Sequence, residues 1–391
     1  MEAKIPKKSS DQDLVAQNII LMLQEYIDFL GFKPAVHFEL EGCIRAPQPG
    51  FSIDYQRINA RLKTHHIEGV LVSEFWLNQW EYVSNFSQQT PLKEAQNLSY
   101  VIKYLPFWFA EQGVVQTYIK PVVWAGDRGR LVAGSEKIFS AQTAAVHIPN
   151  AIQINISALN TQGENIIADA GFGEYLQQCF LESSLNCALL YLPEPEAYQR
   201  LLLKTHFGLA QELCSPCDIS GGHQGSIALY KQFGKHNQEM GVTPLIYSAN
   251  NEVLVTQKNW RMSARIEHRL GASSVFYNPF YNVIFALLNL IDALHVYKSQ
   301  SCIKLLKPLS NNKKLPRSIF PYDNKPGALC LFRQDTWFGD SIDSVYKFSN
   351  FNNITLPDIL HDSSGKALQA EIITNYQQGL FFGNSLSILS D

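Results

Sequence analysis

Five glutamates fall on segments that read as strands: Glu39, Glu41, Glu74, Glu81 and Glu267. Two arginines, Arg265 and Arg269, flank the last of these at alternate positions. Residues i and i+2 of a strand point to the same side, so Glu39 and Glu41 share a face. By the same rule Arg265, Glu267 and Arg269 share one. Carboxylates held side by side repel unless a cation lies between them. Hard divalent ions such as Mg2+ or Mn2+ take oxygen ligands and supply that cation. Carboxylates, divalent metal and arginine together suit phosphoryl transfer, where catalysis is mostly positioning and charge neutralisation. Strand glutamates also commonly face solvent, and residue types alone leave that reading open.

The elements that must position these residues can be read from periodicity. After a loose tail, Leu14, Ile19, Leu23, Tyr26, Ile27 and Leu30 form a broad apolar helical stripe that Gly31 ends. VHFELEG alternates, with Val36, Phe38 and Leu40 on one side and His37, Glu39 and Glu41 on the other. GVLVSEFW and LNQWEYVSNF read as strands carrying Glu74 and Glu81, and Leu92 to Gln112 reads as a helix. IQINISAL is a period-2 strand, with Ile152, Ile154 and Ile156 inward and Gln153, Asn155 and Ser157 on the other face. Helical patterns follow at Glu174 to Leu189 and Glu194 to His206, and the stretch from Cys214 to Gly241 reads as loop. NEVLV and SARIEHRL are strand-like, and Tyr281 to Leu294 is a strong helix. Beyond residue 300 the pattern weakens into a Ser/Asp/Asn-rich tail.

Composition bounds the function. The chain has 391 residues, 46% hydrophobic and 17% charged, which supplies a large core and excludes global disorder. A formal net charge of -3 carries no nucleic-acid footprint. Seven scattered cysteines, an odd number, do not make a secreted disulfide scaffold. The apolar run from Val275 to Leu294 is interrupted by Asn278, Pro279, Asn282, Asn289 and Asp292. That run reads as a buried helix rather than a membrane span. With no apolar leader behind the basic start, a cytoplasmic protein is expected. The lone Cys214-x-x-Cys217 reads as loop rather than a zinc site, and His268 points off the Arg265–Glu267–Arg269 face.

Four segments in register resemble the glutamine synthetase superfamily of carboxylate–amine ligases over about residues 35–295. They are RIEHRLGASSVFYNPF from Arg265, SEFWLNQWEY with Glu74, Gln79, Trp80 and Glu81, FELEG, and YIKP followed by INIS. The resemblance implies an α+β fold: a glutamine synthetase-like catalytic domain whose curved, mainly antiparallel sheet carries the active site and is flanked by helices. On that reading residues 1–34 are a tail and helix, 35–300 the catalytic domain, and 301–391 an extension packed on the same domain.

The implied activity is amide formation through an acyl phosphate, with ATP as co-substrate and Mg2+ or Mn2+. The implied partners are a glutamate-like or other carboxylate and a non-ammonia amine, with no nucleic acid and no membrane, and a homo-oligomer is a further expectation. Glu41, Glu74 and Glu81 would hold one metal ion, and Glu39, Glu267 and Gln153 the second. Arg265 would touch nucleotide phosphate, Arg269 the substrate carboxylate, and Glu74 and Trp80 would border the substrate. Glu239, or Gln238 after a one-residue shift, would be the flap residue that takes the amine's proton.

The chain departs from the family pattern at four positions. Gln153 stands where the family has a histidine ligand. Two phosphate-binding arginines align with Asn251 and Thr256, and a substrate-gripping arginine falls at Gln232. Lys235, Lys258 or Arg261 could restore the lost charge. The alternatives to a ligase are a catalytically impaired relative that only binds ligand, and a phosphotransferase of the same fold.

Overall fold

The computed structural model describes residues 11–74, 77–85, 89–125, 146–198, 200, 227–232, 260–299, 304 and 315–386. Helix α1 (Asp11–Phe29) ends at Gly31, whose φ of 90° turns the chain directly into strand β1 (Phe32–Arg45). Helix α2 (Tyr55–Thr64) starts where the Asp54 side chain accepts from Arg57 N, and leads into β2 (Gly69–Ser73) and β3 (Gln79–Ser84). Helix α3 (Pro91–Ala110) begins with Thr90 as cap and Pro91 in its first turn, where a missing N–H costs nothing. Short strands β4 (Gln116–Tyr118), β5 (Val122–Ala125) and β6 (Val146–Pro149) precede β7 (Ile152–Asn160).

Helix α4 (Phe172–Ser183) follows, then β8 (Ile227–Tyr230) and β9 (Arg265–His268). Helix α5 (Pro279–Lys298) opens on Asn278, whose side chain accepts from Phe280 N and Tyr281 N. Three more helices close the described chain: α6 (Ala328–Gln334), α7 (Trp337–Phe351) and α8 (Ser364–Leu386). The weak pattern beyond residue 300 therefore conceals helices.

Among the described residues, the main sheet runs in the order β2-β3-β1-β7-β9-β8, with β4 also pairing to β1. All of its pairings are antiparallel. Register puts Glu41 opposite Glu81, Glu39 opposite Gln153, and Asn155 opposite both His37 and Glu267. The alternate residues Val36, Phe38 and Leu40 are wholly buried on the other face, as are Trp80 and Tyr82.

That apolar face lies on helices, chief among them α5. Nearly every residue of α5 from Pro279 to Leu294 is buried, Asp292 excepted. The helix is long and apolar enough to cross a membrane, but it lies inside the fold, packed against α1, α3 and α4. Its polar positions are answered locally: Asn282 Nδ2 donates to Leu190 O, and Asn289 Nδ2 to Phe285 O. The C-terminal helices join the same body. Phe348 meets Tyr26 and Phe29 edge-on, and Trp337 meets Phe285.

Candidate active site

The polar face of the sheet gathers eight of the residues singled out from the sequence. Glu74, Glu81, Glu41, Glu39, Gln153, Glu267, Arg265 and Arg269 occupy same-face positions across β2, β3, β1, β7 and β9, or one step beyond a strand end. Two close approaches fix that surface. A Cβ on Gly42 would lie 2.3 Å from the Trp80 ring, so Gly42 leaves room for the indole under β1. A Cβ on Gly271 would lie 2.5 Å from Ile152 O, so this glycine lets the chain after β9 stay tight against β7 and holds Arg269 over Gln153.

The centre is a buried ion cluster. Arg265 Nη2 donates to Glu267 Oε2 at 3.1 Å, and Arg269 Nε lies 3.0 Å from Glu267 Oε1. Arg265 Nε donates to Asn155 Oδ1 at 2.7 Å, and Asn155 Nδ2 to Glu39 Oε1 at 3.3 Å. Arg269 Nε also reaches Gln153 Oε1 at 3.3 Å. The Arg265 guanidinium lies over the Tyr230 ring, 4.4 Å from its centroid. Burial alone would push Arg269 down, but Glu267, then Tyr230, Glu39 and Glu41, outweigh it and hold the pKa above its usual value. His37, on β1 opposite Asn155 of β7, is pushed down to about 3 by burial, so it stands neutral on this face.

Toward β3, Glu41 Oε2 accepts from Ala151 N at 2.7 Å, and Ser273 Oγ donates to Glu41 O at 2.6 Å. Asn150 Oδ1 accepts from Gln79 Nε2, and Asn150 Nδ2 donates to Lys120 O. Glu74 lies within electrostatic reach of Tyr55, whose pKa is raised first by burial and then by that charge.

One sequence expectation changes. Trp80 does not border a substrate on this face. It is wholly buried on the apolar side, 5.6 Å from Phe109 between ring centroids. Alternation alone puts it opposite Glu81. Gln232, where the resemblance puts a lost arginine, is exposed. Arg200 is a buried arginine that the sequence reading passed over.

Arg200 is 7% exposed, and its Nε and Nη1 have no hydrogen-bond partner among the described residues. Burial lowers its pKa to about 10; Glu41 opposes the shift and the like charge of Arg269 adds to it, so both charges lie within electrostatic reach of Arg200. The available signal was a lone arginine on the buried side of a helical run, after Ala197 and Tyr198. Arg261, the remaining described candidate for restored charge, lies at the surface. Its Nη2 pairs with Asp169 Oδ1 at 3.3 Å, and Tyr297 Oη donates to Asp169 Oδ2 at 2.8 Å. Glu239, Gln238, Lys235, Lys258, Asn251 and Thr256 lie outside the described residues.

The implied metal ligands do not fit two resident ions as arranged. Among the described residues no three His, Cys, Asp or Glu side chains converge on one point. Glu267 gives one oxygen to each of two guanidinium groups, and the Gln153 amide oxygen accepts from Arg269. What the side chains do form is a surface of alternating charge, with the Arg200 guanidinium incompletely satisfied. A buried cation without a full set of acceptors is suited to an anion brought from outside.

No protein-family model and no curated protein matches the sequence. Solved structures do match. A crystal structure of a novel glutamine synthase homolog superposes with TM-score 0.52 at 15% identity, over 91% of this chain and 75% of that one. The glutamine synthetase of Plasmodium falciparum superposes with TM-score 0.52 at 13% identity, over 95% of this chain and 77% of that one. With its antiparallel sheet flanked by helices, this chain has a divergent glutamine synthetase-like fold.

Proposed function

We propose that the polar face of the sheet is the active surface of an ATP-dependent ligase that joins a carboxylate to an amine through an acyl phosphate. One observation carries this reading: two buried guanidinium groups, Arg200 and Arg269, lie within electrostatic reach of each other, and two nitrogens of the first have no partner among the described residues. An uncompensated buried cation costs stability and is retained where it serves a ligand.

In the reading, Arg200 and Arg269 grip a carboxylate of a glutamate-like acid, and Arg265 supports the transferring phosphoryl group. ATP enters as its Mg2+ or Mn2+ complex. A second carboxylate oxygen of the acid attacks the γ-phosphorus and ADP leaves. The amine then attacks the acyl carbon, phosphate leaves, and a base takes the amine's proton. Glu239 is the proposed base. Glu41, Glu74 and Glu81 offer negative charge on the same face, suited to an incoming ammonium. Their role follows from shared charge and position, with no resident metal assigned.

A second reading is favoured by Glu267 itself. Its two ion pairs with Arg265 and Arg269 complete each other without nucleotide, as expected of a protein that binds the acid and does not turn it over. Calorimetric titration with a non-hydrolysable ATP analogue and Mg2+ separates the two. Saturable, metal-dependent binding that Arg265→Met abolishes supports the ligase. Acid binding without any nucleotide binding supports the second reading.

A further inference from the structure

On the apolar side of the sheet, α3 sets one carboxyl group into the core. Glu94, in the first turn of that helix, is 0% exposed, and its Oε2 has no hydrogen-bond partner among the described residues. Its Oε1 accepts from Asn97 Nδ2 at 3.2 Å. Burial, the largest influence, pushes the carboxyl up to about 7; the Ser84 and Asn97 side chains and Lys93 oppose that shift, and the like charge of Glu68 adds to it.

Ser84 has a second task. The pairing of β1 with β3 runs from Cys43–Gln79 to Glu39–Val83 and stops there. The next rung is closed by a side chain: Phe38 N donates to Ser84 Oγ at 2.7 Å, and Ser84 Oγ donates to Phe38 O at 3.0 Å. Both residues are wholly buried. A serine hydroxyl has one proton to donate. It can serve Phe38 O or the Glu94 carboxylate, but not both.

We propose that Glu94 and Ser84 form a proton-operated latch on β1. With Glu94 neutral, the Ser84 hydroxyl donates to Phe38 O and closes the end of the β1–β3 pair. When Glu94 gives its proton to solvent, the hydroxyl turns to the carboxylate and Phe38 O loses that donor. One proton leaves, and one hydrogen bond changes acceptor. The next residue is Glu39, whose side chain accepts from Asn155 Nδ2 on the polar face. The latch therefore couples pH to the placement of Glu39. The inference does not depend on the ligase reading.

The surrounding groups do not duplicate the latch. Burial, then the Glu94 charge, keep the Tyr82 hydroxyl of β3 protonated near neutral pH. His37 Nδ1 lies 2.9 Å from Asn85 O, and burial holds that ring neutral above about pH 3. Helix α1 meets the start of α3 through the neutral Gln17 and Gln24. Among the described residues no charged group of α5, which also packs on α3, acts on Glu94.

Phe38–Glu39 is the only Phe-Glu pair in the sequence. Cell-free labelling of the full chain with carbonyl-13C phenylalanine and 15N glutamate therefore leaves one carbonyl–amide correlation in the NMR spectrum, and its carbonyl shift reports hydrogen bonding at Phe38 O. The expected result is a shift that follows a single proton, with a midpoint near pH 7. Glu94→Gln, which cannot ionise, should abolish the titration. Ser84→Ala should abolish it too and hold the carbonyl at its high-pH position. Should Glu94→Gln fail to fold, Glu94→Met carries the same comparison. A carbonyl shift constant from about pH 5 to pH 9, or a titration that persists in either the Glu94 or the Ser84 variant, would overturn the inference.

Discussion

Replacing Arg200 with methionine should make the protein more stable and deprive it of its substrate. The side chain is 7% exposed, and two of its nitrogens lack partners among the described residues. Burial lowers its pKa well below the usual guanidinium value, to about 10. At about 1.36 kcal/mol per unit, the charge costs the folded state roughly 3 kcal/mol near neutral pH. Methionine keeps an apolar stem of similar length and removes the charge. Imperfect repacking takes back part of the gain, so a net stabilisation of about 1–3 kcal/mol is expected. Urea denaturation measures it as a raised midpoint with unchanged slope. The same variant should lose acid-dependent ADP release. A loss of stability greater than about 1 kcal/mol would refute the reasoning, because it would make Arg200 a structural ion-pair partner rather than a ligand-binding cation.

Glu267→Gln should have the opposite sign. It leaves Arg265 and Arg269 buried without their counter-ion, and a fall of about 3–5 kcal/mol in the urea-derived stability is expected. Glu94, buried beneath β3 and raised by burial from 4.5 to about 7, gives a pH signature. A carboxyl whose folded pKa lies above its unfolded value contributes stability that is full below the unfolded value and is lost as pH rises through the folded one. The denaturation midpoint should therefore fall between about pH 5 and pH 8, and Glu94→Gln should flatten that fall. Gly42→Ala should lower the melting temperature, with a cost of about 1–3 kcal/mol, because its methyl group would enter the Trp80 ring.

The sheet was legible because one of its faces is buried. FELEG and IQINIS alternate without interruption, so periodicity alone placed Glu39, Glu41, Gln153 and Asn155 on the face where the structure has them. RIEH behaves likewise, and its neighbours Asn155 and Tyr230 complete the charge network. Trp80 was misplaced because the QWE motif drew attention away from alternation, which already set it opposite Glu81. Arg200 was missed for a different reason. A helix shows which side is apolar, but a single arginine on that side reads as a solvent-facing charge until tertiary packing buries it.

The C-terminal helices were hidden by composition. Helix α7 buries Phe338, Ile342 and Val345 among serines, aspartates and asparagines, a stripe too narrow to stand out. Metal binding was expected from the clustered carboxylates and from the resemblance. The charges are there, but Arg265 and Arg269 answer Glu267 directly.

The account rests on the sheet face joining an acid to an amine at the expense of ATP. The most direct test mixes purified protein with MgATP and a matrix of dicarboxylic amino acids and amines, and follows ADP release. The account predicts ADP only where an acid and an amine are present together, with Arg200→Met folded and silent. ADP release with acid alone would instead indicate a phosphotransferase. No release across the matrix, together with no binding of the ATP analogue, would contradict the claim.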